Sequence, residues 1–118
     1  MAVQAYSGGC QCGAVRFEAD LDLDRTVTCN CSRCVRLGSI LSFTPASGFR
    51  LGQGADVLKE FLFNKRVVRH HFCSVCGIEP LAYGQTPDGK QMVAVNVRCL
   101  DGVDPGTLTP TFFDGASL

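Results

Sequence analysis

The stretch TVTCNCSRCVRLGS, residues 26–39, places Cys29, Cys31 and Cys34 in a CxCxxC pattern. A zinc ion held only by protein takes four ligands at tetrahedral angles, so three thiols in one short segment leave a position to be accounted for. Two further clusters lie outward from it: Cys10 and Cys12 in SGGCQCGAVRFEA, residues 7–19, and Cys73 and Cys76 in HHFCSVCG, residues 70–77. Cys99 stands alone. Loops of the CxC and CxxC type bring two sulfurs round one ion, and a glycine at the exit, here Gly13 and Gly77, lets backbone amides turn toward them. Spacing permits two pairings. Cys31/Cys34 with Cys73/Cys76 would make an ordinary zinc ribbon and leave Cys10, Cys12 and Cys29 without partners. Cys10/Cys12 with Cys73/Cys76 closes a four-thiol set and leaves CxCxxC intact, and is preferred because every clustered thiol then has a role.

The rest of the chain suits a small protein of this kind. Its 118 residues fit a single domain, 1–118, near the size at which metals supplement the core. Eleven basic and eleven acidic side chains balance to zero, which leaves no electrostatic footprint for nucleic acid or an anionic membrane. MAVQAYSGGCQCG has no basic segment followed by an apolar run, and no later stretch approaches a membrane span, so a cytoplasmic protein is expected. In that reducing compartment eight cysteines argue for metal binding or thiol chemistry over a disulfide framework.

Segments rich in β-branched and aromatic residues recur between glycine, proline and polar breaks: AVRFEA, SILSFTP, VLKEFLF, VVRHHF, PLAYG and QMVAVNVRCL. They read as strands. In the last, Val93, Val95 and Val97 alternate with Ala94, Asn96 and Arg98, so one face is buried; Cys99 continues the odd-numbered face and is expected in the core. TPDGKQ, residues 86–91, predicts a hairpin between the last two. SGG before Cys10 and GQG at 52–54 read as tight turns, LDLD at 21–24 as an exposed connection, and the tail with Phe112 and Phe113 as a terminal segment packed on the core. No stretch sustains a helical period for three turns, so the fold class is mainly β with few or no helices.

The runs SGGCQCGAVRFEA, CNCSRC and HHFCSVCG, in this order and at these separations, resemble the glutathione-dependent formaldehyde-activating enzyme family, which includes the centromere protein V type. The resemblance extends from about Ser7 to Asp104. It implies a small zinc-containing fold of the tent type with two zinc ions per chain. Carried over residue by residue, Cys10, Cys12, Cys73 and Cys76 would hold a structural zinc, and Cys29, Cys31 and Cys34 a catalytic one. The implied activity is that of a carbon–sulfur lyase like S-(hydroxymethyl)glutathione synthase, joining glutathione or a related thiol to formaldehyde or another small aldehyde. Its partners would be these small molecules; oligomeric state is not written in the sequence.

Three protein ligands and one free position mark a zinc that works, because the opening admits water or a substrate atom. With three thiolates the ion favours soft ligands, and a substrate thiol, with an ordinary pKa of about 8.5, would be largely ionised when bound. Candidates for the remaining roles are His70 and His71, which as strand neighbours face opposite ways, together with Arg33 and Arg36, which flank the cluster and could meet a carboxylate. Two rival readings stand beside the enzyme: a non-catalytic zinc-binding interaction module or glutathione-binding protein, and thiol redox chemistry through CxxC. The second lacks the surrounding thioredoxin motif and ranks last.

Overall fold

A computed structural model describes residues 3–62 and 68–117. It is mostly β. Among the described residues ten strands run in the order β1 (Gln4–Gly9), β2 (Arg16–Leu21), β3 (Val27–Cys29), β4 (Leu41–Pro45), β5 (Phe49–Gln53), β6 (Leu58–Phe61), β7 (Arg69–Cys73), β8 (Leu81–Gln85), β9 (Gln91–Asn96) and β10 (Thr111–Phe113). A single α-helix among the described residues, α1 (Ser32–Leu37), follows β3. The strands form a three-stranded sheet, β1-β2-β5, and a seven-stranded sheet, β10-β3-β4-β9-β8-β7-β6, antiparallel except where β10 runs parallel to β3. The expected segments VLKEFLF and VVRHHF appear as β6 and β7; Phe63 and Val67 lie outside the described residues.

The two sheets close over one core. Phe17, Ala19 and Leu21 of β2 meet Leu81 of β8 and Val93 and Val95 of β9, all almost fully buried. The β8–β9 hairpin follows its expected turn: Thr86 and Lys90 pair through their backbones, and Gly89 supplies the left-handed φ of 89° that the turn needs. Register then sorts the large sheet into two faces, because directly paired residues point the same way. One row, Ser42–Val95–Leu81–His71–Glu60, runs along the face that carries the core valines. The adjacent row, Phe43–Ala94–Ala82–His70–Phe61, lies on the other face. Val27 pairs with Leu41 and Phe113 with Cys29, so by the same alternation Cys29 belongs to this second face.

Several expectations are corrected. The strand through Val97 and Cys99 ends at Asn96, whose side-chain oxygen accepts the Arg98 amide and turns the chain into a 3-10 turn, Val97–Cys99. Val97 stays buried, but Cys99 is only partly buried and lines an open cleft of about 430 Å³ beside Cys10, Arg16 and Arg98. LDLD is no exposed connection: Asp22 accepts the Asp24 amide on its side chain and the Arg25 amide on its carbonyl, a turn that sends both Leu21 and Leu23 inward. Gly8 and Gly9 lie within β1 and serve close approach, since a Cβ on Gly8 would sit 2.5 Å from the Cys99 carbonyl oxygen. The tail does pack on the core, but through Val103 and Leu108, while Phe112 and Phe113 are 63% and 49% exposed on β10.

Leu81→Ala removes a side chain that is 1% exposed at the centre of the core. Urea unfolding should show a loss of about 2–5 kcal/mol, with the size set by how far the neighbouring valines can close the cavity.

Candidate metal centres

The sulfurs gather into two groups, Cys10 with Cys12, Cys73 and Cys76, and Cys29 with Cys31 and Cys34, each within 4.8 Å. All eight cysteines are free thiols.

Cys10 and Cys12 come from the turn joining β1 to β2, Cys73 ends β7, and Cys76 lies in the turn before β8. Both turns are built alike. Gly13 and Gly77 take φ of 84° and 83°, and backbone amides converge on the sulfurs: Val15 N–H donates to Cys10 Sγ at 3.3 Å and Val75 N–H to Cys73 Sγ at 3.4 Å. Cys10 and Cys12 sulfurs are 3.6 Å apart, and Cys12 and Cys73 sulfurs 3.8 Å. Bonds of about 2.3 Å at tetrahedral angles put zinc-bound sulfurs about 3.8 Å apart, so the spacing fits one ion. The thiols do not ionise alike. The Ile78 amide is the main cause that brings Cys76 down to about 6, whereas Cys12 is pushed up to about 11, its Ala14 amide outweighed by burial and by the other three sulfurs. Sulfurs this close cannot all carry charge unless a cation joins them.

The three-cysteine set is local. Cys29 ends β3, Cys31 caps α1 by accepting the Cys34 amide at 3.3 Å, and Cys34 is buried in the first turn. The Cys31 amide in turn donates to Cys29 Sγ at 3.4 Å. Gly38, with φ 68°, closes the helix on the Cys34 carbonyl, which confines α1 to six residues. Burial lifts the Cys34 thiol well above its ordinary range, helped by Cys31 and Cys29, while Cys31 goes down, its burial outweighed chiefly by the Cys34 amide and thiol. The donor set of three sulfurs, two of which accept a backbone amide, suits a soft metal ion with one coordination position left over.

A buried charge cluster ties α1 to the large sheet. Arg33 donates from Nε and Nη2 to Glu79 Oε1 at 2.9 and 2.6 Å, and Glu79 Oε2 lies 2.7 Å from His70 Nδ1. The guanidinium also lies 4.4 Å from the centroid of the Phe61 ring. Arg33 is therefore held against the large sheet, with 22% of its side chain exposed. Arg36 stays exposed, donating to the Ser32 carbonyl at 2.9 Å. His71 points to the opposite face, edge-on to Tyr83 with Nε2 3.6 Å from Glu60, apart from His70. Glu79 was not singled out from sequence; His70 and Arg33 converging on it reveal its burial.

A family model described as glutathione-dependent formaldehyde-activating enzyme matches residues 5–113. The chain belongs to that family. The family's description is of enzymes that act on formaldehyde with glutathione, and both cysteine groups lie within the matched residues. Among solved structures, a crystal structure of a Rhodobacter sphaeroides protein superposes with a TM-score of 0.80 at 34% identity, covering 90% of this chain and 97% of that one. In this member of the formaldehyde-activating family the described residues contain no helix long and apolar enough to cross a membrane.

Glu79→Ala removes the buried carboxylate that Arg33 and His70 share. The expected loss of stability in urea unfolding is about 3–5 kcal/mol, the range for breaking a buried pair. Asp20→Ala, which removes one of the two partners of Arg50 at the surface and leaves Glu18, should cost at most about 1 kcal/mol.

Proposed function

We propose that the protein joins glutathione, or a related thiol, to formaldehyde or another small aldehyde, as a carbon–sulfur lyase of the S-(hydroxymethyl)glutathione synthase type. Cys10, Cys12, Cys73 and Cys76 hold a structural zinc, and Cys29, Cys31 and Cys34 a second zinc that leaves a position for substrate. The observation that carries this reading is the difference between the groups: one gathers four sulfurs, the number a tetrahedral ion takes, whereas the group around the cap of α1 gathers three. When bound, zinc at the second set supplies a site for a soft ligand and lowers the pKa of a thiol there.

The reaction itself is an addition. The thiol sulfur forms a bond to the aldehyde carbon, the C=O π pair moves to oxygen, and the oxygen gains a proton while the thiol loses one; nothing is oxidised or reduced. The chain contributes mainly position, which for two small reactants is most of what a site can offer. Arg33, fixed by Glu79 and Phe61, anchors α1 and with it Cys31 and Cys34. Because Arg33 is committed to Glu79, the exposed Arg36 is the better placed of the two to meet a substrate carboxylate. His70, oriented through Nδ1 by Glu79, lies on the sheet face of Cys29 and is favoured over His71 for handling the proton.

One observation favours the interaction-module reading: Val35, Phe112 and Phe113 are exposed on α1 and β10, the elements next to the three cysteines. A single experiment separates the two. Native mass spectrometry of protein purified without chelator should show two zinc ions and, with glutathione, an adduct that Cys31→Ser abolishes. One zinc and no adduct, unchanged after zinc reconstitution, would leave the four-cysteine centre alone and turn the reading toward a binding module.

A further inference from the structure

The C-terminal segment meets the three-cysteine set at several independent points. β10 lies parallel to β3 with Phe113 beside Cys29, and the Asn30 amide donates to the Phe113 carbonyl at 3.4 Å. The Asn30 side chain, between Cys29 and Cys31 in sequence, then uses both ends of its amide. Nδ2 donates to Asp114 Oδ1 at 2.8 Å, and Oδ1 accepts the Ala116 amide at 2.9 Å. Ser117 Oγ donates to the other Asp114 oxygen at 2.7 Å, so the far side of the clasp is braced as well. Between the two anchors the backbone of Gly115 passes over Cys29: a Cβ built on Gly115 would lie 2.5 Å from Cys29 Sγ, closer than side chains approach.

This arrangement does more than tie down a terminus. Cys29 sits at the end of a three-residue strand whose only antiparallel pairing is Val27 with Leu41, so little else in β3 fixes its side chain. Its sulfur accepts from the Cys31 amide on one side and meets Gly115 on another. We infer that Asn30 is a positioning residue of the three-cysteine centre: by clasping Asp114 and Ala116 it lays the Gly115 backbone against Cys29, sets the direction of that sulfur and walls one side of the centre. The inference rests on the metal reading proposed above. The four-cysteine centre receives no contact from this segment in the pairings described and has no need of it.

Cobalt(II) titration of the metal-free full chain, read by thiolate-to-cobalt absorption and by competition with a chromophoric chelator, tests this. Cys31→Ser identifies which absorption belongs to which centre. Asn30→Ala and Gly115→Ala should each weaken cobalt at the three-cysteine centre by about 10- to 100-fold and change its absorption, the range for removing a group that orients a ligand. The four-cysteine absorption should stay unchanged and so reports that the variants are folded. Asn30→Asp places like charges against Asp114 and should weaken the centre too; adding Asp114→Asn restores a donor–acceptor pair and should recover the affinity. If the wild type takes up two ions and both Asn30→Ala and Gly115→Ala hold the second as tightly, with the same spectrum, the role of the clasp is overturned. A wild type that takes up one ion overturns the two-centre reading itself and this inference with it.

Discussion

The approach of four thiols to within 4.8 Å of one another is the constraint on which the rest depends. Two come from the tip of the small sheet and two from the end of β7 and the turn after it, and Cys12 and Cys73 stand 61 residues apart in the chain. Around them only a small satellite cluster, Val15 with Leu51, Val57 and Leu58, holds the sheets together at this edge. Ionised sulfurs this close repel one another. A divalent cation held there would turn that repulsion into a cross-link between the sheets, supplementing the limited core of a chain of this size.

The second group poses the opposite problem. Its three sulfurs come from six consecutive residues, so no distant pairing is needed to gather them. Short-range gathering leaves orientation loose, because a three-residue strand and a six-residue helix have few internal bonds. The long-range contacts of this region all act on that looseness. Arg33 reaches Glu79 across 46 residues, and Asn30 reaches Asp114 across 84. One fixes the helix that carries Cys31 and Cys34, and the other fixes the strand end that carries Cys29.

What could be read from sequence follows the range of the interactions. The cysteine clusters, the glycine exits and the 86–91 turn are decided within a few residues, and so is the brevity of α1. β1, β3, β5 and β10 were not singled out, because QAYSGG, VTC, FRLGQ and TFF are too short or too glycine-rich to show a period and become strands through their partners. Cys99 was misplaced by extending a true alternation past Asn96, where one side-chain hydrogen bond turns the chain. LDLD failed differently: Asp22 spends its acceptors on the turn, so alternation that looked half-wet delivers both leucines to the core. Glu79 was illegible because its burial is defined by two residues from other elements.

The pleat of the large sheet then separates two kinds of consequence along a single strand. In β9, Val93 and Val95 face the core while Ala94 and Asn96 lie on the face of Phe43, His70 and Cys29. Asn96 shows what the second face does: its side-chain amide donates to the Glu79 carbonyl at 3.2 Å and its backbone amide to Pro80, fixing the residue that pairs with Arg33. Changes at Val93 and Val95 act on stability through packing. A change at Asn96 acts on the site through Glu79 and, by way of Arg33, on α1. Alternation with a period of two is thus what lets one short strand serve both the fold and the chemistry.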